Sequence, residues 1–422
     1  MINFLTLRRL HAAATFFCAC IIVGIFVAEW FRILPSIGMA GLTLTGLLYA
    51  AVHRRIGNVG RWPVFAAMVL VFGLHASSGL HTEAQHWPDY GRDLVMQLPF
   101  LLLPLAFWLL PPLPGLHLRW LWGLLVGVTL VAATGVTVNY LAHAAAINQL
   151  YLQSQVMPTE PDHIRLSLLV TLAIVAGVAL LWHRAVAAKW RPWLLAAVLL
   201  MTLFLHLLAV RSGLMTFYAL GALGVSWLWF GQQQRKNAVG LAVGLLLLPV
   251  VCFVAFPTFR NKFYNTQEDV GKMSDTKEAN RYSIVARVYS YQTAFALWRD
   301  NRLFGVGKPD LQEEIVRRYA AMYPDIGASG QILPHNQYIY NLAAYGAVGL
   351  FIFCLGLFYP WWWARAQHAP LLLAQYVSLA LSFVVEYTLE TQIGVAFAVF
   401  FLLLALQGSL PAADEDVRWR PA

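Results

Sequence analysis

Three arginines, one histidine, one asparagine and two glutamates carry the chemistry that can be read from this sequence: Arg211, Arg281, Arg287, His335, Asn336, Glu386 and Glu390. A guanidinium is planar, always charged and able to grip two phosphate oxygens at once, so arginines facing one cavity suit a diphosphate. A histidine beside such a group can take a proton from an attacking hydroxyl. Glu386 and Glu390 are spaced to lie one helical turn apart on one face, near the end of an apolar segment. There they could serve as counter-charges for the arginines or as a proton path.

Each of these residues also has a plainer reading. Arg211, in Val210-Arg211-Ser212-Gly213, could snorkel to lipid headgroups, although an ionisable residue at membrane depth equally marks a site. Arg281 and Arg287 could be solvated charges on an exposed helix, His335 a structural histidine at an interface, and at least one glutamate half of a structural ion pair. His81, Glu83 and His86 match no common metal-ligand spacing and read as interfacial polar residues. The four cysteines (Cys18, Cys20, Cys252 and Cys354) all fall in apolar segments, so neither a disulfide framework nor a metal site is indicated. No metal and no cofactor are expected.

The elements that must position these residues are membrane helices. Hydrophobic residues make up 59% of the 422 and charged residues 12%, against about 25% charged in a soluble domain. The fold class is therefore all-α and polytopic. Apolar stretches long enough to span a bilayer fall at 11–30, 34–52, 62–79, 94–112, 119–141, 164–183, 192–210, 213–231, 238–256, 337–359, 369–390 and 393–409, about twelve transmembrane helices. The formal charge of +9 needs no nucleic acid partner, because cytoplasmic loops of membrane proteins are basic for orientation alone. The start, Met1 to Arg9 before an apolar run, reads as a retained first helix rather than a cleaved signal.

One set of short loops carries Arg8, Arg9, Arg54, Arg55, Arg61, Arg119, Arg184, Lys189, Arg191, Arg235, Lys236, Arg365, Arg418 and Arg420, whereas the alternate set carries only Arg32, Arg92, Arg165 and Arg211. That bias predicts both termini in the cytoplasm. The acidic run Asp414-Glu415-Asp416 is then part of a short cytoplasmic tail. The same bias puts the polar stretch 257–336 outside, and at about eighty residues that stretch is too long for a mere connector. Three regions result: helices 1–9 over 1–256, a helical external loop over 257–336, and helices 10–12 with the tail over 337–422.

Within the loop, residues 281–298 have helical periodicity, with Ile284, Val288, Tyr291, Phe295 and Trp298 forming one apolar stripe. Arg281 falls on that stripe and Arg287 at its edge, where a buried guanidinium needs an anion. The glycines of Leu303-Phe304-Gly305-Val306-Gly307 permit a sharp turn, after which Asp310 can cap a short helix through Tyr323.

These pieces resemble the O-antigen ligase (WaaL) family, within the wider group of O-antigen ligases and polymerases. The resemblance rests on Arg211-Ser212-Gly213 at a span junction and on Arg287 in the loop helix. It continues through Leu303-Phe304-Gly305-Val306-Gly307 and His335-Asn336, which leads into Tyr345-Gly346-Ala347-Val348-Gly349-Leu350. It covers the twelve-span layout and is strongest over 205–350. It implies an architecture similar to the glycosyltransferases that use lipid-linked donors (GT-C-like), placed in the bacterial inner membrane with a periplasmic active site. The implied reaction moves O-antigen from undecaprenyl diphosphate to a sugar hydroxyl of lipid A–core. In that reaction Arg211 and Arg287 hold the diphosphate, Arg281 assists, His335 takes the proton and Asn336 orients the hydroxyl. Attack opposite the leaving group implies inversion, and the arginines take the part a divalent cation plays elsewhere. The donor, the acceptor and membrane lipids are the expected partners. An O-antigen polymerase or protein O-oligosaccharyltransferase shares the donor logic, and a transporter of lipid-linked sugars is the reading from another class.

Overall fold

The computed structural model describes residues 6–80, 82–363 and 369–409. His81, Arg365 and the acidic tail run therefore lie outside the described residues, as do Arg418 and Arg420. Seventeen α-helices follow in chain order. They are α1 Leu7–Phe26, α2 Ile33–His53, α3 Trp62–Ser77, α4 Trp87–Gln97, α5 Pro99–Leu109, α6 Gly115–Ala142, α7 Ala144–Leu152, α8 His163–Trp182, α9 Arg191–Leu208 and α10 Arg211–Ser226. After these come α11 Arg235–Ala255, α12 Pro257–Gly271, α13 Ser283–Asp300, α14 Leu311–Met322, α15 Gln337–Trp363, α16 Pro370–Val385 and α17 Gln392–Ser409.

Among the described residues, ten helical stretches are long and apolar enough to cross a membrane, and α16 and α17 are two shorter apolar helices. All twelve expected stretches are thus helical. The fourth is interrupted ahead of Pro99, which lacks the N–H that a continuous helix would use there and instead opens α5. The spans around Arg211 are distinct helices, turned by Ala209 in the left-handed region (φ 51°).

Leu166, Leu168, Leu169, Val170, Leu172 and Ala173 make α8 apolar all round, and it is buried all round. It packs against α6, α9, α10, α16 and α17. By contrast, α10 and α11 leave most of their apolar surface uncovered.

The polar stretch folds as α12 to α14 and is stitched into α15. Gly346 (φ 68°, ψ −171°) breaks that helix in a region essentially reserved for glycine, and such a break strands backbone groups that the helix would otherwise pair. Residues 302–307 take them up. The N–H groups of Val306 and Gly307 donate to the carbonyls of Ala343 and Ala344 at 3.2 and 2.9 Å, while those of Ala347 and Val348 donate to Arg302 and Leu303 at 2.9 and 3.1 Å. A Cβ on Gly305 would stand 2.5 Å from the Ala344 carbonyl, and one on Gly346 would strike Leu303. The two glycine-containing motifs are therefore two halves of one joint.

The expected stripe on α13 is not its buried face. Val285, Ala286, Tyr289, Ser290, Thr293, Ala294 and Leu297 are buried, whereas Phe295 is exposed and Ile284, Val288, Tyr291 and Trp298 are half-buried. The helix packs against α14 and α15, and Tyr289 meets the Tyr323 ring at 5.0 Å.

Candidate active site

At one end of the bundle the N-termini of α8 and α10 meet α12, α13, the 334–336 stretch and the turn 386–391. Arg211 is the first residue of α10, and its guanidinium meets the Asp269 carboxylate at 3.4 Å. Asp269 is carried by α12, which turns a polar row toward the bundle. In that row Thr258 donates to the Leu207 carbonyl at 2.6 Å, and Asn265 donates to the Tyr151 carbonyl. Lys262 and Asp269 share this face, because 258, 262, 265 and 269 follow helical spacing. Burial, helped by the nearby charges of Arg211 and Arg287 and opposed by Asp269, pushes Lys262 down to about 8. Lys262 is thus a third cation beside the two expected arginines.

Arg287 projects from α13 and donates to the Val385 carbonyl at 2.8 Å, with Glu386 at 3.7 Å. His335 lies between them. Its Nδ1 is 3.0 Å from the Glu386 carboxylate and 3.5 Å from the Arg287 guanidinium. The closer partner is an acceptor, which assigns the proton to Nδ1 and leaves the Nε2 lone pair to accept another. The His335 carbonyl accepts from Tyr291 Oη at 2.8 Å, and the Tyr387 ring packs edge-on against the imidazole at 4.5 Å. Glu386 is 3% exposed and His335 23%, so the carboxylate is the hidden member and the imidazole the accessible one.

Four buried polar atoms here have no hydrogen-bond partner among the described residues: Arg211 Nε, Ser212 Oγ, Asp269 Oδ1 and Arg165 Nε. Buried polar groups are normally paired, so such a concentration suits a polar ligand. Arg165, on the first turn of α8, is ion-paired to Asp162 at 3.1 Å and buried to 8%.

The remaining expected residues have these surroundings. Arg281 is exposed and has no ion-pair partner among the described residues. Asn336 caps α15, its Oδ1 accepting from the Ile339 N–H at 3.0 Å and its amide donating to the Val384 carbonyl at 2.9 Å. One end of its side chain caps α15 and the other ties it to the 384–386 stretch. Glu386 and Glu390 do not share a helix face, because α16 ends at Val385 and Glu386 is extended (φ −155°, ψ 151°). Glu390 points instead to Lys308 at 2.7 Å. Asp310 precedes α14 as expected, but its carboxylate accepts from His86 and from the Glu83 N–H rather than capping the helix. Among the described residues no group of three or more His, Cys, Asp or Glu side chains could hold a metal ion.

Sequence reasoning missed Lys262, Asp269 and Arg165. The polar row of α12 was a usable signal for the first two. Arg165 reads as one more loop charge until α8 is known to be the enclosed centre of the bundle.

No curated protein matches the chain. Residues 196–354 match the family model described as O-antigen ligase. The matched stretch holds Arg211, Lys262, Asp269, Arg287 and His335, together with both halves of the Gly305–Gly346 joint. Over residues 196–354 the chain is thus similar to the O-antigen ligase family.

Proposed function

We propose that the protein is an O-antigen ligase that transfers polysaccharide from undecaprenyl diphosphate to a sugar hydroxyl of lipid A–core. The observation that carries this reading is the Glu386–His335 pair, 3.0 Å apart, beside Arg211, Lys262 and Arg287. Glu386 holds the Nδ1 proton of His335, so Nε2 can take the proton of the acceptor hydroxyl. The acceptor oxygen bonds to the anomeric carbon as the bond from that carbon to the diphosphate oxygen breaks. The electron pair leaves on the diphosphate, where Arg211, Arg287 and Lys262 stabilise the growing charge. Attack opposite the leaving group inverts the anomeric centre. The side chains named supply the positive charge that the step needs, so transfer should survive a strong chelator.

The bias of Lys and Arg among the short loops supports an inner-membrane orientation with both termini cytoplasmic and 257–336 in the periplasm. Cysteines introduced in that stretch should react with an impermeant reagent in intact spheroplasts. Labelling only after permeabilisation would overturn the orientation. A polymerase would use the same donor site and differ in its acceptor. Purified protein given lipid-linked glycan and lipid A–core decides the matter. Glycan joined to lipid A–core supports the ligase, whereas longer lipid-linked glycan with no transfer to lipid A–core identifies a polymerase.

A further inference from the structure

We infer that Lys308, held between Asp93 and Glu390, is a positioning residue that fixes the 386–391 turn so that Glu386 stands against His335. The inference rests on the proposed reaction for its consequence in rate, though not for its geometry. Immediately after the stitched stretch, Gly307 (φ 89°) lets the chain turn, and Lys308 enters the bundle. Its ammonium is 6% exposed and bonds to the carboxylates of Asp93 on α4 and Glu390, the latter at 2.7 Å. Although burial pulls Lys308 down, Glu390 and Asp93 hold it above the usual lysine range.

The 386–391 turn has little regular structure of its own and is held from outside. Gln97 donates to the Leu389 carbonyl at 3.0 Å, and Gln337 accepts from the Leu389 N–H at 2.9 Å while donating to Glu390 at 3.1 Å. Lys308 supplies a charged grip from the polar insert at the Glu390 end of the turn, as Arg287 does at the Glu386 end. Removing its ammonium would leave Asp93 and Glu390 as like charges in one buried space, a strongly unfavourable arrangement. Glu390 would be driven away from α4, carrying with it the turn that begins at Glu386. Docking of the insert is thereby tied to the geometry of the proposed base.

The test uses full-length protein in lipid nanodiscs, with single-turnover transfer and donor binding measured on the same preparation. Lys308→Met should slow transfer about tenfold, since small misplacements of a catalytic group are costly, and leave donor affinity unchanged. In a Glu386→Gln background the same substitution should slow it no further, because the effect runs through Glu386. Equal losses in both backgrounds, or a wild-type rate in folded Lys308→Met, would overturn the inference. If Lys308→Met does not fold, Glu390→Gln keeps the side chain's volume and should give a smaller loss with the same non-additivity. Carbethoxylation of His335 by diethyl pyrocarbonate needs no substrate and should slow several-fold in Lys308→Met; an unchanged rate overturns the positioning role. Slowed carbethoxylation together with a wild-type protein that transfers nothing would defeat the ligase reading and leave the positioning role intact.

Discussion

Two clusters of charge lie at the same end of the bundle, and they use the same residue types to opposite effect. Around Lys308 the side chains are 6–8% exposed, and Lys308, Asp93 and Glu390 are joined by direct ion pairs. Around Arg211 and Arg287 the arginine side chains are 34% and 26% exposed. There the cation–carboxylate distances are 3.4 and 3.7 Å, and several buried polar atoms have no partner among the described residues. A closed cluster whose charges are directly paired has little capacity left for a ligand. A loosely paired one with surplus cations has that capacity, and its pairing improves when an anion arrives. Count of charge is therefore a poor guide to a site, and completeness of pairing is a better one.

If the comparison is right, substitutions in the open cluster should cost transfer, and those in the insert's joint should cost stability. The largest effect is expected for Arg211→Ala and Arg287→Ala, each losing about 10³–10⁵-fold in transfer, the scale for an arginine that stabilises charge on a departing phosphate. The lysine variants should recover only part, because an ammonium lacks the two-pronged geometry. Wild-type transfer in either alanine variant would remove that arginine from the site.

Next comes His335→Ala, which should lose about 10²–10⁴-fold in single-turnover rate while binding the lipid donor normally. A normal rate at saturating donor would show that His335 is not the base, and weakened donor binding with intact chemistry would make it structural.

Gly346→Ala should be mainly a stability variant. It forces a side chain into a glycine-only conformation against Leu303, at a cost of roughly 1–3 kcal/mol from the backbone strain alone. A lower melting temperature and faster proteolysis of the 257–336 stretch would follow. An unchanged melting temperature would mean that the joint does not hold the insert.

The smallest effect concerns Lys262. Because its half-buried amine is pushed down to about 8, it is an ammonium below that pH and turns neutral above it. A diphosphate favours the ammonium, so donor affinity should be full below about pH 8 and decline as pH rises through it. The decline, expected to be about tenfold at most for a single charge contact, should vanish in Lys262→Met. The same pH dependence in Lys262→Met would assign it to another group.

Much of the fold was legible because it follows from composition and period. Apolar length alone located twelve helices, helical spacing located α13, and a capping residue type at 310 marked the start of α14. Legibility failed where partners come from different elements. The stripe on α13 misled because periodicity finds an apolar face without saying what packs on it, and here the buried face runs through Val285, Tyr289, Thr293 and Leu297 instead. Asp310 has the right type and place for a cap, but His86 on the 82–87 loop competes for its carboxylate. Glu386 and Glu390 look like helical neighbours until the chain leaves the helix at Val385.

By itself the sequence determined that this is a helical membrane protein with one long polar insert, and it nominated Arg211, Arg287 and His335. Both follow from local facts, namely the length of apolar runs and the scarcity of charge within them. Only the tertiary structure decided which carboxylate lies against His335, that Lys262 joins the arginines, and that Lys308 lies buried between Asp93 and Glu390. A charged side chain's role depends on burial and on the nearest opposite charge, and residues 93, 308 and 390 become neighbours only when the helices pack.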